Sequence, residues 1–217
     1  MPAAYLLDLY DTLVSADWQS WWVHLRELTG ATDEQLAEGY EQTRKRRNEG
    51  AFESPDEEMR SVLEAGGIAD PDGTLVDTLL AAETRLGGDV IVFDDTMPTL
   101  AALREAGVRT AIVSNCNRGT RETVERLGLD AAVDAVVLSC ELRAAKPDPR
   151  IYQAALDELG VGAADAVFVD DQTAYCDGAR AVGIDTRLLV RADGTPYEGF
   201  APATNGHTVI SRLAELL

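Results

Sequence analysis

Cysteine is scarce in this 217-residue chain: Cys116, Cys140 and Cys176 are odd in number, widely spaced and free of any C-x-x-C pair. That pattern excludes a disulfide framework and a zinc site and reads as unremarkable free thiols in a reducing compartment. Basic residues are also few, 19 against 38 acidic ones for a net charge of -19. Such a balance repels phosphate backbones and anionic lipid alike, so nucleic acid and membranes are excluded as expected partners. No apolar run approaches the ~20 residues of a membrane span. The opening "MPAAYLL" lacks the basic start of a signal peptide and is interrupted at Asp8, so the expected location is the cytoplasm. His24 and His207 are the only histidines, and neither stands in a catalytic pattern.

What is present is an ordinary globular composition, 46% hydrophobic and 26% charged, long enough for one sizeable domain or a domain with an insert. From Asp17 to about Leu86 the periodicity is helical. Trp18, Trp21, Trp22, Leu25 and Leu28 recur at spacings of three and four, and Gly30 ends the run. "TDEQ" (Thr32, Gln35) and "SPDE" (Ser54, Glu57) read as capping boxes, and a fourth helix is expected over Leu75 to Leu86. Residues 15–87 are thus predicted to form a small α-helical domain of their own.

On both sides of that block, short apolar runs alternate with helices: "AAYLLD", "VRTAIVSN", "AVDAVVLS", "DAVFVDD" and "TRLLVR". Continuous rather than alternating apolar strands are buried on both faces, which predicts a doubly wound α/β domain with a parallel sheet, formed by residues 1–14 and 88–217. A last helix is expected near Val209 to Leu216.

Ligands of such sheets sit beyond the carboxyl ends of the strands. There the pattern delivers Asp8 after the first strand, Ser114 and Asn115 after the second, Lys146 after the third, and Asp170 and Asp171 after the fourth. Grouped carboxylates repel one another unless a hard cation neutralises them, and oxygen-only ligands suit Mg²⁺. A magnesium ion beside a lysine and a hydroxyl is the equipment for stabilising a transferring phosphoryl group, with an aspartate as nucleophile.

The four motifs "DLYDT", "VSN", "KPDPRIY" and "FVDDQ", in this order, resemble the haloacid dehalogenase-like (HAD) hydrolase superfamily, and the inserted helices resemble its α-helical cap. The resemblance implies Asp8 as nucleophile and metal ligand, the Tyr10 carbonyl as a second ligand, and Asp170 and Asp171 completing the Mg²⁺ site. It implies Ser114 as holder of a phosphoryl oxygen, with Asn115 beside it among the catalytic residues, and Lys146 as the balancing charge. The implied activity is hydrolysis of a small phosphorylated metabolite.

The departure is Tyr10, where phosphatases of the superfamily usually carry a second aspartate that protonates the leaving group; a tyrosine hydroxyl, with a pKa near ~10, is a poor substitute. The dehalogenase branch often carries tyrosine there and needs no metal, but its last motif resembles S-S-N-x-x-D where this chain has "DDQTAY". The alternatives are therefore a 2-haloacid dehalogenase using Asp8 without metal, or a catalytically impaired binding protein. Asp11, as the neighbour of Tyr10 on an extended segment, is expected to face away from the site. In "TRKRRNEG", Arg44 to Arg47 form a solvated helix face, or else Arg44 or Arg47 meets an anionic group.

Overall fold

The computed structural model describes residues 1–87, 90–191 and 203–217, with no side-chain detail for 83–87. The described chain begins with strand β1 (Ala4–Leu7), β2 (Val14–Ser15) and four helices, α1 (Trp18–Thr29), α2 (Asp33–Asn48), α3 (Pro55–Ala65) and α4 (Thr74–Gly87). It continues through β3 (Ile91–Val92), α5 (Thr96–Glu105), β4 (Arg109–Ser114), α6 (Thr120–Arg126), α7 (Leu129–Ala132), β5 (Ala135–Leu138) and α8 (Ser139–Leu142). The remaining elements are α9 (Pro149–Leu159), β6 (Ala166–Asp170), α10 (Thr173–Ala181), β7 (Asp185–Leu189) and β8 (Thr208–Ile210).

Six strands form one sheet in the order β5-β4-β1-β6-β7-β8, every pair parallel. β1 is central and buried throughout, and its successive side chains go to opposite faces. Tyr5 and Leu7 join Ile112, Val167 and Val169 on one face, where Leu100, Leu103 and Val124 cover them. Leu6 joins Ala111, Val113 and Phe168 on the other, under Ile151, Tyr152 and Leu156. Two apolar faces on one strand explain why the motif strands read as unbroken apolar runs.

Helices α1 to α4 pack around a separate core of Leu25, Leu36, Met59, Leu63, Val76 and Leu79. The Thr32–Gln35 capping box forms in both directions. At α3 the Ser54 hydroxyl accepts from the Glu57 N–H as expected, but the Glu57 carboxylate accepts from the Glu53 N–H instead of that of Ser54, so the reciprocal half is displaced by one residue. Where the chain enters and leaves the helical segment, β2 and β3 pair antiparallel, Val14 opposite Val92. Two residues per strand are too few to show a period, so the sequence reading passed over this ribbon. Among the described residues no helix is long and apolar enough to cross a membrane.

The expected C-terminal helix is a correction. Thr208–Ile210 adds a sixth parallel strand beside β7, and only a 3₁₀ turn, Leu213–Leu216, follows. The β-branched Thr-Val-Ile suits a strand, and Ile210, Leu213 and Leu216 all join the same sheet face. The Tyr5 hydroxyl donates to the Leu216 carbonyl at 3.0 Å and ties the turn to the central strand.

One close approach in this packing supports the site directly. A Cβ on Gly178 of α10 would lie 2.7 Å from Pro147 Cβ and 2.8 Å from the Tyr152 hydroxyl, so α10 sits against the Lys146–Pro147 segment only because it has a glycine there. Gly178→Ala should destabilise the fold by about 1–3 kcal/mol through overpacking, lowering the midpoint of thermal unfolding by roughly 2–4 °C for each kcal/mol. An unchanged midpoint in a calorimetric scan would show that the contact is slack.

Candidate active site

Asp8 stands at the end of β1, where its N–H donates to the Val169 carbonyl at 2.9 Å and its side chain turns into the crevice at the strand ends. Lys146 meets it from the loop after β5. Its ammonium is almost fully buried and donates to Asp8 Oδ1 and, at 2.7 Å, to Asp170 Oδ2. Asn115 sets the position of that lysine: its Nδ2 donates to the Lys146 carbonyl at 2.9 Å and its Oδ1 accepts from the Lys146 N–H at 2.7 Å. The ammonium also lies 4.9 Å from the centre of the Tyr175 ring, and Tyr152 donates to the Tyr175 carbonyl at 2.7 Å.

Asp170 ends β6 with Oδ1 accepting from the Gln172 N–H at 2.8 Å. Asp8, Asp170 and Asp171 each offer a carboxylate oxygen within 4.8 Å of the others. Two buried hydroxyls of the motif loops, Ser114 Oγ and Thr12 Oγ1, have no hydrogen-bond partner. Buried polar atoms are nearly always paired, so these are positions at which a ligand oxygen is the natural partner. Ser114 was expected from the sequence; Thr12 was not, because nothing in its spacing shows that its side chain is buried.

A family model for haloacid dehalogenase-like hydrolases matches residues 2–183. The chain belongs to this family. It is similar to (S)-2-haloacid dehalogenase 1 of a Pseudomonas strain, 30% identical over 99% of this chain and 96% of the relative. A phosphatase of Mycobacterium tuberculosis is 33% identical over 48% of each chain. Among solved structures, L-2-haloacid dehalogenase from Xanthobacter autotrophicus superposes with a TM-score of 0.67 over 100% of this chain and 97% of that one, at 22% identity, a likeness of fold.

The motif-one loop of this HAD-like hydrolase differs from the sequence expectation at Asp11. Its φ of 59° is left-handed, which aspartate tolerates better than most residues, and its N–H closes a turn onto the Val14 carbonyl at 2.7 Å. The segment is not extended, so alternation does not send Asp11 away. Burial raises its pKa to about 6, the charge of Asp8 adds to the rise, and a hydrogen bond with Trp18 opposes it. The Tyr10 hydroxyl lies 3.3 Å from Thr120 Oγ1, and the ring meets Trp18 edge-on at 5.4 Å.

Arg47 stays within its own helix, donating to the Tyr40 carbonyl at 2.9 Å and to Thr43 Oγ1 at 3.1 Å. Arg44 pairs with Glu41 at 3.0 Å, and its charge is felt by the Tyr175 hydroxyl. A cavity of about 740 Å³ separates α1–α3 from the loop after β4, lined among others by Trp18, Trp21, Arg47 and Arg118. Asp8 and Lys146 do not line it; it adjoins their crevice through Trp18, which packs on Tyr10.

Three acids against one lysine leave the crevice short of positive charge. Burial, with the neighbouring charge of Asp8, pushes Asp170 up to about 7 despite Lys146. Burial together with Asp170 and Asp8 pushes Asp171 up to about 9. For Lys146 burial acts downward, but the two carboxylates outweigh it and hold the ammonium protonated well above the usual lysine value.

A carboxyl whose pKa is higher in the folded than in the unfolded chain keeps a proton that unfolding releases, so stability falls as pH rises between the two values. For Asp171 that window runs from about 4 to about 9. The unfolding midpoint of chelator-treated protein should therefore decline across this range, and Asp171→Asn should flatten the decline. A decline equally steep in Asp171→Asn would place the proton elsewhere.

Proposed function

We propose that this HAD-like hydrolase is a Mg²⁺-dependent phosphomonoesterase that acts on a small phosphorylated metabolite through an aspartyl-phosphate. The observation that supports it is the cluster at the strand ends of Asp8 and Asp170, both buried, with half-buried Asp171. Its donors fit a hard divalent cation: all are oxygens, and burial together with neighbouring carboxylate charge holds two of them above the ordinary carboxylate range. Asp8, Asp170, Asp171 and the Tyr10 carbonyl would hold Mg²⁺, which when bound supplies the missing charge and polarises a phosphoryl oxygen.

The chain's own residues do the rest. Lys146 occupies Asp8 Oδ1, leaving Oδ2 to attack phosphorus, and its fixed charge stabilises the equatorial oxygens. Asn115 keeps the ammonium in place. The unpartnered hydroxyls of Ser114 and Thr12 are donors for phosphoryl oxygens. Helices α1–α4 serve as the cap over the crevice. The departing alkoxide takes a proton, and water then cleaves the acyl phosphate; with Tyr10 engaged by Thr120 and Trp18, position 10 supplies no carboxyl for that proton.

A second reading is metal-free cleavage of a 2-haloacid, with Asp8 displacing halide from carbon and water hydrolysing the ester. Tyr10 and the dehalogenase relative that spans the chain favour it, and by relatedness over the full length it is the better supported. The argument against it is electrostatic. A carboxylate substrate would enter a crevice that already holds three acids and one lysine.

Product release separates the two. Phosphate release from a panel of phosphorylated metabolites should require Mg²⁺, stop on chelation and disappear in Asp8→Asn, whose amide is a far weaker nucleophile. Halide release from 2-haloacids that survives chelation would replace the phosphatase reading with the dehalogenase one. On the phosphatase reading, Tyr10→Asp should speed hydrolysis of alkyl phosphates by up to ~10²-fold and of activated aryl phosphates much less, because only the alkyl group needs protonation as it leaves. Equal gains on both would put the deficit in water attack; a loss on both, shared by Tyr10→Phe, would give the tyrosine hydroxyl a role of its own.

A further inference from the structure

Ser114 and Leu138 are register partners of β4 and β5, and the two chains leave the sheet in step, so that the residues two further on meet. Those residues are Cys116 and Cys140. Their Sγ atoms are 3.8 Å apart and both side chains are buried. To form a disulfide the sulfurs must close from 3.8 Å to about 2.0 Å.

The surroundings tie this pair to the active site. Asn115, which clamps the Lys146 backbone, immediately precedes Cys116. Arg118, two residues beyond, donates to the Phe52 carbonyl at 2.6 Å and the Gly50 carbonyl at 3.2 Å in the α2–α3 loop. Gly50 rests so closely on Cys140 that a Cβ there would lie 2.1 Å from the Cys140 carbonyl oxygen. The thiols therefore lie between the clamp on Lys146 and a point where the helical segment rests on the sheet.

We propose that Cys116 and Cys140 are a redox modification site, a dithiol that a peroxide converts to a disulfide, loosening the Asn115 clamp on Lys146. In the first step the Cys140 sulfur attacks a peroxide oxygen; the O–O bond breaks, a sulfenic acid forms and water or an alcohol leaves with a proton. Cys116 sulfur then attacks the sulfenic sulfur, the S–S bond forms, the S–O bond breaks and water leaves. The two thiols lose two electrons and two protons in all, and the peroxide takes them up. Cys140, 8% exposed against 5% for Cys116, is the sulfur a peroxide meets first. Drawing the sulfurs together moves the backbone next to Asn115, where a displacement of about 1 Å is enough to disturb catalytic geometry.

The full-length protein, treated with hydrogen peroxide and mapped by peptide mass spectrometry, should go from three titratable thiols to one, with Cys116 and Cys140 linked and Cys176 free. Amide exchange at Lys146, whose N–H is held by Asn115 Oδ1, should quicken by about 10-fold or more in the linked form and recover with dithiothreitol. Cys140→Ser, or Cys116→Ala if that variant does not fold, should show no such change, whereas Cys176→Ala should respond like the parent. Three thiols still titratable, a link through Cys176, or a linked protein with unchanged Lys146 exchange would each overturn the proposal.

Discussion

The ammonium of Lys146, buried between Asp8 and Asp170, is the interaction on which the crevice depends. An unpaired charge in such a place costs several kcal/mol, and removing one partner of a buried pair leaves the other stranded. Much of the nearby structure serves that pair. Asn115 fixes the lysine backbone from the neighbouring strand end, Tyr152 fixes the Tyr175 segment beside it, and Gly178 lets α10 approach Pro147. One lysine still cannot balance three carboxylates. Burial is what chiefly raises Asp170 and Asp171, with the charge of Asp8 adding to both and that of Asp170 to Asp171.

The same imbalance of charge separates two chemistries that share a fold and a nucleophile. Relatedness over the whole chain points to the haloacid dehalogenases, and Tyr10 agrees with them. The acids at the ends of β1 and β6 are the feature on which the proposed metal-assisted reading rests. Fold and family establish a HAD-like hydrolase; which bond is broken is decided by a few side chains at the strand ends.

The sheet was legible because strands buried on both faces leave unbroken apolar runs, and the candidate site because four such runs lead into carboxylates, a hydroxyl, an amide and an ammonium. Asp8, Ser114, Asn115, Lys146, Asp170 and Asp171 were expected there, and the structure gathers Asp8, Lys146, Asp170 and Asp171 into one cluster, with Asn115 holding the lysine. Their individual tasks were less legible. Asn115 acts on the backbone of a residue 31 positions away, a relation that no local pattern carries. Asp11 was misjudged because alternation presumes an extended chain and its φ is positive. β8 was read as a helix since three strand residues followed by a 3₁₀ turn mimic one helical repeat. The meeting of Cys116 and Cys140 follows from strand register, which a sequence shows only once the pairing is known.

With all three acids ionised, the crevice holds two positive charges too few. Carbon NMR of protein labelled at the aspartate carboxyl carbons measures this directly, by titrating Asp8, Asp170 and Asp171 with and without Mg²⁺. The account predicts that without the ion at least one of the three, Asp171 foremost, titrates above neutrality, and that Mg²⁺ moves it down into the ordinary carboxylate range. Three carboxyls that all titrate below about 5 and ignore Mg²⁺ would contradict it.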